Sequence, residues 1–452
     1  MTARGGDRAG GEQMTARERD PSGDDRTTVC VVGLGHVGLP LALLFAREHS
    51  VVGVDVDESR VAALRRGDLP AAEPALGELF DRVGDDLAVR TDPVPADAYV
   101  IATPTPLDPD RDAADLSAVV AATESVGRVA SPGDLVVLVS TVPPGTTDEL
   151  VAPLLARTAG TDDVLLAHCP ERALPGNTLA EMTGTARLVG GVDDASTAAA
   201  AALFSAITEG PIHETTARLA EFVKLTENTY RDVNIAFANE LAAVAERVGV
   251  DVHRAIALAN DHPRVAVHRP GPGVGGHCIS IDPLFLAQSV ATTRLIPTAR
   301  EVNDGMASHA VGLVRESLRE AAADAPTRAR PTVTLLGVAY KGDVGDTRET
   351  PALPVARLLR STGHEVRVYD PHVESFPVTP VSLAEAVTDS DCLLLVTDHA
   401  AFHDLDPAAV GDAMATRTLV DTRNHLDADR WRAAGFSVRV LGDGTGTPAE
   451  QE

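Results

Sequence analysis

Short apolar runs alternate with longer amphipathic stretches along most of the chain. The first unit has an apolar run at 29–32, a glycine-rich turn, a helical stretch at 39–47 and a second apolar run at 51–54. Because parallel strands are joined by helices that cross over the sheet, this order favours a parallel α/β sheet. Further apolar runs occur at 98–102, 135–139 and 164–166. The N-terminal part is therefore predicted to be a doubly wound α/β domain.

The middle of the chain has a different pattern. Residues 215–262 lack strand signals and are dominated by Ala, Leu, Glu and Arg, which predicts one long helix followed by a second helix. After Pro331 the α/β alternation restarts, with apolar runs at 333–336, 365–369, 392–396 and 418–420. We expect two α/β domains joined by a helical domain, because the chain is too long for a single core. The expected divisions are a disordered tail at 1–26 and domains at 27–212, 213–325 and 326–452.

The glycine-rich turn between the first predicted strand and helix is typical of a dinucleotide-binding site. Its residues are Gly33, Leu34, Gly35, His36, Val37 and Gly38. Glycine permits a tight turn and close approach of a pyrophosphate, and the helix N-terminus supplies N–H groups for phosphate. Asp55 ends the second predicted strand, where a carboxylate accepts hydrogen bonds from ribose hydroxyls and repels a 2′-phosphate. The turn and Asp55 therefore predict NAD rather than NADP as the cofactor.

The charge balance excludes several classes of partner. The chain has 66 Asp and Glu against 39 Lys and Arg, a net charge of −27. Such a surface repels nucleic acid and anionic membranes, so neither is expected as a partner. No apolar run is long enough to span a bilayer, and no secretory pattern precedes the first strand, so we expect a cytoplasmic protein. The acidic surface also suggests adaptation to high salt, with a GC-rich genome as the alternative explanation.

Lysine is nearly absent from the chain, which contains only Lys224 and Lys341. Where arginine has replaced lysine almost everywhere, the remaining lysines indicate sites that need a compact, titratable amine. Chance is the alternative explanation for either lysine alone.

The four cysteines are scattered, at Cys30, Cys169, Cys278 and Cys392. This spacing indicates free thiols rather than disulfides or a zinc site, and no metal is expected. Cys278 alone stands in a glycine-rich and proline-rich segment, 271–276, and Asp282 follows four residues later. The other three lie in apolar contexts typical of packing residues. Cys278 is therefore the candidate nucleophile.

A thiol combined with an NAD site suggests oxidation through a covalent intermediate. A thiolate adds to an aldehyde, hydride loss leaves a thioester, and water releases an acid. Lys224 is a candidate to stabilise the developing alkoxide or transfer a proton, and Glu171 is a candidate to activate the water. For Glu171, a plain role at a helix N-terminus is the alternative. The rival functions are a two-electron dehydrogenase without covalent catalysis and a non-catalytic nucleotide-sugar-binding protein.

Several motifs together resemble the UDP-sugar 6-dehydrogenase family over nearly the whole chain after the tail. They are the first glycine turn, Thr103-Pro-Thr105-Pro, Ser140-Thr141 with Pro144-Gly145, Pro170-Glu171-Arg172, Lys224 with Asn228, Cys278 with Asp282, and Lys341 with Asp346-Thr347-Arg348-Glu349. The resemblance implies two Rossmann-like parallel-sheet domains joined by a long helix that forms a homodimer. NAD would occupy the N-terminal half and the UDP portion of the substrate the C-terminal half.

The resemblance also implies roles for individual residues. Cys278 would be the nucleophile, Lys224 and Asn228 would hold the C6 oxyanion, Glu171 would assist hydrolysis, and Asp282 would support the thiol and an ordered water. Beyond the glycine turn and Asp55, the implied cofactor residues are Arg60, Thr105, Thr141 and Arg348. Besides Lys224 and Asn228, the implied substrate residues are Arg172, Arg231, His262, Arg264, Gly275, Tyr340 and Lys341.

The residues around Cys278 favour an N-acetylated sugar. Gly-His277-Cys278 and the string His262-Pro-Arg264-Val are similar to the N-acetylhexosamine branch of the family. UDP-N-acetylmannosamine is the expected substrate, with UDP-N-acetylglucosamine and UDP-glucose as alternatives. For Arg231, a solvated surface position remains the alternative to a substrate contact.

Overall fold

The computed structural model describes residues 26–69, 74–108, 113–173, 176–276, 278–290, 292–322, 328 and 330–445. The expected tail, apart from residue 26, and His277 lie outside the described residues.

The N-terminal part is built on one large twisted sheet. The strands up to residue 216 are β1 (Thr28–Val32), β2 (Ser50–Val54), β3 (Leu87–Arg90), β4 (Ala98–Ile101), β5 (Leu107–Asp108), β6 (Ala113–Ala114), β7 (Leu135–Leu138), β8 (Leu165–His168), β9 (Arg187–Gly191) and β10 (Ile212–Thr216). In the described residues the sheet has the order β10-β9-β8-β7-β4-β1-β2-β3, with β5 and β6 forming a separate antiparallel pair. The strand order steps outward in both directions from β1, as in a doubly wound fold.

Helices cover both faces of this sheet. They are α1 (Gly38–Phe45), α2 (Glu58–Arg65), α3 (Pro74–Val83), α4 (Ser117–Gly127), α5 (Ala152–Ala159), α6 (Thr178–Gly184) and α7 (Asp194–Ser205). A 3₁₀ turn (Gly84–Asp86) follows α3, and a π-helical turn (Thr147–Val151) precedes α5. Alternate residues of β1 face opposite sides, with Val29 and Val31 in one apolar cluster and Cys30 and Val32 in another. Burial on both faces explains why β1 is a continuous apolar run.

Two features differ from the sequence-based expectations. The sheet is not parallel throughout, because β9 runs antiparallel to β8. Because β9 is antiparallel to β8, it begins at the edge of the sheet where β8 ends. The short helix α6, with seven residues, lies between these two strands in the chain. The prediction that residues 215–262 contain no strand is wrong for the first two of them, because Thr215 and Thr216 form the end of β10.

A long helix, α8, lies between the N-terminal sheet and the C-terminal sheet in the chain. The central helices are α8 (Ala217–Val248), α9 (Val252–Asn260), α10 (Asp282–Ala287) and α11 (Leu295–Ala321). Thr216 caps the N-terminus of α8 by accepting a hydrogen bond from the Leu219 amide, and Gly249 ends the helix with a left-handed φ of 71°. With 32 residues, α8 spans about 48 Å.

The C-terminal part is a second, smaller parallel sheet. Its elements are β11 (Thr332–Leu336), α12 (Ala352–Ser361), β12 (Glu365–Tyr369), α13 (Leu383–Val387), β13 (Cys392–Leu395), a 3₁₀ turn (Ala400–Asp404), α14 (Pro407–Ala413), β14 (Thr418–Asp421), α15 (Ala428–Ala433) and β15 (Ser437–Val440). The strand order is β12-β11-β13-β14-β15. Ala238 and Ala242 of α8 share one apolar cluster with Val333 and Leu335 of β11. The central helices are therefore packed into the core of the C-terminal sheet.

Among the described helices, none combines the length and apolarity needed to cross a bilayer.

The acidic composition leads to a prediction about salt. At low ionic strength the net charge of −27 destabilises the folded chain by self-repulsion, and molar KCl screens this repulsion. We expect the unfolding temperature to rise by at least roughly 5 °C between low salt and molar KCl, measured by calorimetry. The same salt series near the isoelectric point is the control, where the rise should largely disappear. An unfolding temperature that falls with KCl would contradict salt adaptation.

Candidate active site

The glycine-rich turn after β1 has the shape needed to receive a pyrophosphate. Gly33 has φ of 95°, and a Cβ atom there would lie 2.5 Å from the Ala102 carbonyl oxygen. A Cβ on Gly38 would lie 1.7 Å from the Gly33 carbonyl oxygen. These two glycines are therefore required for packing. Gly35 has no atom within 4 Å of its Cβ position, so its side of the turn is open to a ligand.

Asp55 lies beside this turn at the end of β2. Its carboxylate is 7% exposed and accepts hydrogen bonds from the amides of Leu34 and Asp57, each at 2.9 Å. The guanidinium of Arg60 also donates to the Asp55 carboxylate at 2.9 Å. A fixed carboxylate next to an open glycine turn fits the ribose of NAD, the cofactor expected from the sequence.

Thr105 and Thr141 are adjacent at the neighbouring strand ends. The Thr105 hydroxyl donates to the Thr141 carbonyl at 2.7 Å, and the Ser140 hydroxyl donates to the Thr103 carbonyl at 2.7 Å. These bonds join the segments that follow β4 and β7. The two motifs thus meet at the carboxyl edge of the sheet, where ligands of such sheets bind.

Cys278 is exposed, whereas Cys30, Cys169 and Cys392 are buried. Its carbonyl accepts hydrogen bonds from the amides of Ile281 and Asp282, at 3.1 and 2.8 Å, which form a tight turn that starts α10. The turn places the thiol and the Asp282 carboxylate on neighbouring positions of one short loop.

The glycines before Cys278 allow this loop to lie against the C-terminal domain. A Cβ on Gly275 would lie 2.6 Å from the Glu349 carbonyl oxygen, and one on Gly276 would lie 3.0 Å from the ring of Tyr340. The Gly276 amide donates to the Arg348 carbonyl at 3.3 Å. Segment 271–276 therefore needs glycine for close backbone approach to Tyr340 and 348–351.

Asp282 lies beneath the thiol loop and is only 3% exposed. Its carboxylate accepts a hydrogen bond from the Asn228 amide group at 2.5 Å. Burial raises the pKa of Asp282 to about 6, although Lys224 and Asn228 act in the opposite direction. The Asp282 carboxylate is therefore mostly ionised at pH 7 and about half protonated near pH 6.

The same groups control the thiol. Although the residue is exposed, desolvation of its sulfur by the surrounding protein and the charge of Asp282 raise the pKa of Cys278, while the charges of Lys224 and Arg348 act to lower it. Lys224 is buried on α8, with 8% of its surface exposed. The structure thus brings Cys278, Asp282, Asn228 and Lys224 together, as the sequence motifs implied.

Buried polar residues follow one face of α8, and sequence reasoning missed three of them. Glu221 is 1% exposed and accepts hydrogen bonds from the amides of Gly145 and Thr147, at 2.5 and 2.8 Å. Lys224 and Asn228 follow at helical spacing on the same face. Glu221 thereby ties the segment after Thr141 to the helix that carries Lys224.

Further along α8, Asp232 and Asn239 are both fully buried. Asp232 accepts hydrogen bonds from Arg300 at 2.5 Å and from Asn303 at 2.8 Å, both on α11. Asn239 donates to Asn303 at 2.9 Å and accepts from the Gly271 amide at 2.8 Å. This network fixes the start of the thiol loop. Polar residues repeating at helical spacing from Glu221 to Asn239 were the sequence signal that could have identified it.

Glu171 and Arg172 lie in the turn after β8. Glu171 is 9% exposed, and one carboxylate oxygen accepts hydrogen bonds from the amides of Arg172 and Ala173, at 2.7 and 2.8 Å. The Arg172 guanidinium forms a two-bond ion pair with Glu227 of α8. The Arg172 guanidinium, which was expected to bind the substrate, is therefore already paired with Glu227 in the structure.

Arg348 is paired with Asp346 in the loop that follows Lys341. Its guanidinium binds the Asp346 carboxylate, with contacts between 2.5 and 3.0 Å. Burial raises the pKa of Asp346, but the bonds to Arg348 and the charge of nearby His36 outweigh this effect and lower it. The Asp346 carboxylate is therefore under the influence of both Arg348 and His36.

Tyr340 and Arg231 lie close to each other near the thiol. Burial and Asp346 raise the pKa of Tyr340, while Arg348 and Arg231 act to lower it. Burial and the charge of Arg231 lower the pKa of His268. The charge of Arg231 therefore acts on both Tyr340 and His268.

The turn that carries Lys341 is held by a buried histidine. The Asp343 amide donates to Nδ1 of His399 at 2.9 Å, and Nε2 of His399 lies 3.0 Å from the Asp370 carboxylate. Asp343, His372 and His399 are close enough to form a three-ligand group. Because both ring nitrogens of His399 already have partners, we interpret the group as a support for the Lys341 turn.

His262 and Arg264 lie apart from these groups in the exposed turn after α9. The Arg264 guanidinium is 3.4 Å from Nε2 of His262. Among the described residues, neither forms a hydrogen bond or ion pair with the residues around Cys278.

Arg423, which follows β14, was also missed from the sequence. Its guanidinium donates to the Val396 carbonyl at 2.9 Å and lies 2.9 Å from the position of a Cβ on Gly271. Its place just after a strand of the C-terminal sheet was the available signal, since ligands bind at such strand ends.

Models of three domains of one family match consecutive parts of the chain. They belong to the UDP-glucose/GDP-mannose dehydrogenase family: its NAD binding domain at residues 27–208, its central domain at 218–305 and its UDP binding domain at 334–428.

Individual relatives are similar over nearly their full length. The chain is 39% identical over 429 residues to UDP-N-acetyl-D-mannosamine dehydrogenase of Methanococcus maripaludis, covering 93% of this chain and 98% of the relative. It is 38% identical over 425 residues to NDP-N-acetyl-D-galactosaminuronic acid dehydrogenase of Ralstonia nicotianae, covering 90% of this chain and 98% of the relative. A solved structure of UDP-D-ManNAc dehydrogenase from Pyrococcus horikoshii matches with a TM-score of 0.87 and 37% identity, covering 92% of this chain and 99% of that one. The chain therefore belongs to the UDP-glucose/GDP-mannose dehydrogenase family and is an NAD-dependent UDP-sugar dehydrogenase.

Proposed function

We propose that this enzyme oxidises the C6 alcohol of UDP-N-acetyl-D-mannosamine to a carboxylate through covalent intermediates on Cys278. The observation that carries the proposal is that the exposed Cys278 shares a tight turn with the buried Asp282, whose carboxylate binds Asn228 of α8, and that Asp282 and Lys224 of α8 both act on the thiol. Bound NAD would accept a hydride in each of the two oxidations, so one sugar yields two NADH.

The first oxidation needs a proton acceptor and a donor for the C6 oxygen. Asp282, ionised at neutral pH because its pKa is about 6, accepts the hydroxyl proton through an ordered water. The ammonium of Lys224 and the amide of Asn228 donate hydrogen bonds to the C6 oxygen as it becomes negatively charged. The product of this step is an aldehyde held at the thiol.

The second oxidation uses Cys278. Its sulfur adds to the aldehyde carbon to give a thiohemiacetal, and hydride loss from that carbon leaves a thioester. Desolvation and Asp282 raise the pKa of Cys278, and the charges of Lys224 and Arg348 limit this rise, so the thiolate fraction is larger than it would be without them. Glu171 orients the water that hydrolyses the thioester. The nucleotide portion of the substrate receives positive charge from Lys341, Arg231 and Arg423. Tyr340 supplies a hydrogen bond.

The identity of the sugar rests on the relatives. Those named for UDP-N-acetylmannosamine and for an N-acetylgalactosaminuronic acid are nearly equally identical to this chain. Identity alone therefore favours an N-acetylated sugar without separating its epimers. The His262-Pro-Arg264 string supports the mannosamine form, and UDP-N-acetylglucosamine and UDP-glucose remain the alternatives.

We also propose that the enzyme is a homodimer. An apolar groove of about 310 Å³ lies between α8 and α9. The residues that line it include Val244, Val248 and Val250, which are 51%, 65% and 46% exposed. A second copy of the chain, packing its own α8 and α9 into the groove, would cover this apolar surface. The exposed turn with His262 and Arg264 would then lie close to the partner's site.

The substrate assignment predicts a specific stoichiometry. With UDP-N-acetylmannosamine we expect two NADH per sugar, measured by absorbance in molar KCl. UDP-N-acetylglucosamine and UDP-glucose, tested side by side, should be much poorer substrates. Preferred turnover of UDP-glucose would retain the chemistry but contradict the interpretation of His262, Arg264 and His277. One NADH per sugar would contradict the acid-forming mechanism.

The dimer can be tested by placing a charge in the groove. We expect V248D to convert the enzyme to monomers, measured by light scattering, because burying a carboxylate in an apolar interface is unfavourable. V381D, which alters an exposed valine of the C-terminal domain, is the matched control and should remain dimeric. A monomeric enzyme without any substitution would refute the proposal.

The electrostatics of the thiol predict opposite effects for two substitutions. Because Asp282 raises the pKa of Cys278, D282N should lower that pKa and accelerate alkylation of Cys278 by iodoacetamide at neutral pH. K224M should have the opposite effect. Each pKa unit changes the rate by about tenfold at pH values below the pKa. The remaining cysteines are buried, so alkylation reports Cys278.

D391N changes another buried carboxylate, outside the site, and should leave the alkylation rate unchanged. Slower alkylation in D282N combined with faster alkylation in K224M would contradict this description of the thiol.

A further inference from the structure

Arg187, the first residue of β9, has no place in any of the sequence motifs that define the site. Its side chain is only 4% exposed. One guanidinium nitrogen, Nη1, lies 3.4 Å from Oε2 of Glu171 and 3.8 Å from the sulfur of Cys169. A buried guanidinium is costly unless it is paired and hydrogen-bonded. The contacts of the Arg187 guanidinium therefore indicate which group it positions.

Neutral groups fix the rest of the guanidinium. Nη2 donates to the Met182 carbonyl at 2.7 Å, and Nε donates to the Thr208 hydroxyl at 3.2 Å. The plane of the group lies over the ring of Phe204, 4.9 Å from its centre. With these contacts the guanidinium has a single orientation, and Nη1 is directed at Cys169 and Glu171.

Glu171 rather than Cys169 is the counterion. Burial raises the pKa of Cys169 to about 11, although Arg187 acts in the opposite direction. The Cys169 thiol is therefore neutral at physiological pH. Among the described residues, Glu171 is the carboxylate within ion-pair distance of Arg187.

The two oxygens of Glu171 differ in their surroundings. Oε1 is occupied by the amides of Arg172 and Ala173, at 2.7 and 2.8 Å. Oε2 has the longer contact with Arg187, which leaves it lone pairs for another hydrogen bond. A carboxylate with one oxygen fixed by the backbone and the other oriented by a cation is suited to holding a water molecule.

We propose that Arg187 is a positioning residue for thioester hydrolysis: it orients Oε2 of Glu171 toward the attacking water. This inference rests on the proposed function of Glu171 and Cys278. In the step concerned, the water oxygen bonds to the thioester carbon and the carbon–sulfur bond breaks. Cys278 leaves with the electron pair, and the proton lost by the water passes to Oε2 of Glu171 and then to solvent.

A double-mutant cycle with E171Q and R187M tests the inference by rapid-mixing measurement of NADH. Because hydride transfer precedes hydrolysis, R187M should retain a burst of two NADH per active site at nearly the normal rate. The subsequent steady-state rate should fall about a hundredfold, as on loss of a general base. The acyl adduct on Cys278 should then be detectable by mass spectrometry after quenching. R187K, which keeps a charge, should recover part of the steady-state rate.

In the E171Q background, R187M should change the steady-state rate by no more than about twofold, because Arg187 acts through Glu171. R439M is the matched control, since Arg439 is also largely buried and pairs with Glu316 and Glu320. We expect R439M to lower stability without selectively slowing the steady state after the burst. If R187M does not fold, the cycle is run with R187K.

Full additivity of the two substitutions, or loss of the burst together with the steady state, would overturn the role of Arg187. Failure of the unsubstituted enzyme to release NADH from any nucleotide sugar would instead refute the proposed function.

Discussion

The arrangement of the site depends on polar side chains buried along one face of α8. Glu221, Lys224, Asn228, Asp232 and Asn239 are each at most 9% exposed. Polar groups in such positions are costly unless they are paired. Glu221, Asn228, Asp232 and Asn239 therefore each constrain the segment that supplies the partner. Through these partners a single helix holds the segment after Thr141, the carboxylate beside the thiol, helix α11 and the start of the thiol loop. Because α8 is continuous, these parts have fixed relative positions.

The two α/β halves share one local arrangement, in which a glycine after the first strand lies next to an aspartate at the end of the second strand. Gly33 and Gly337 both have positive φ, and their amides donate to the carbonyls of Val54 and Tyr369 in the neighbouring strands. Asp55 and Asp370, at the ends of those strands, accept hydrogen bonds from the amides of the residues after these glycines, Leu34 and Val338. In the second half His399 also binds Asp370, so that carboxylate supports the Lys341 turn. In the first half, Asp55 lies beside an open glycine turn, which is consistent with NAD binding there.

Much of this could be predicted from the sequence because the signals were local. The apolar runs predicted nine of the fifteen strands in the described residues to within two residues, and the thiol loop was recognisable from its glycines. The sequence analysis named no run for β3, β5, β6, β9, β10 or β15. The antiparallel β9 could not be predicted, because its direction depends on how the chain crosses the sheet and not on strand composition. Arg187 and Arg423 resembled other arginines of an arginine-rich chain, since burial and partners distinguish them only in three dimensions. The ion pair of Arg172 with Glu227 was missed for the same reason.

The central claim is that Cys278 forms a covalent bond to the substrate above Asp282. The most direct test is C278S, incubated with UDP-N-acetylmannosamine and NAD, with turnover followed by NADH and the peptide containing position 278 analysed by mass spectrometry. We expect acid formation to be lost and an ester-linked sugar to accumulate at position 278, because an oxygen ester hydrolyses more slowly than a thioester. Normal turnover by C278S without any adduct would contradict the covalent mechanism.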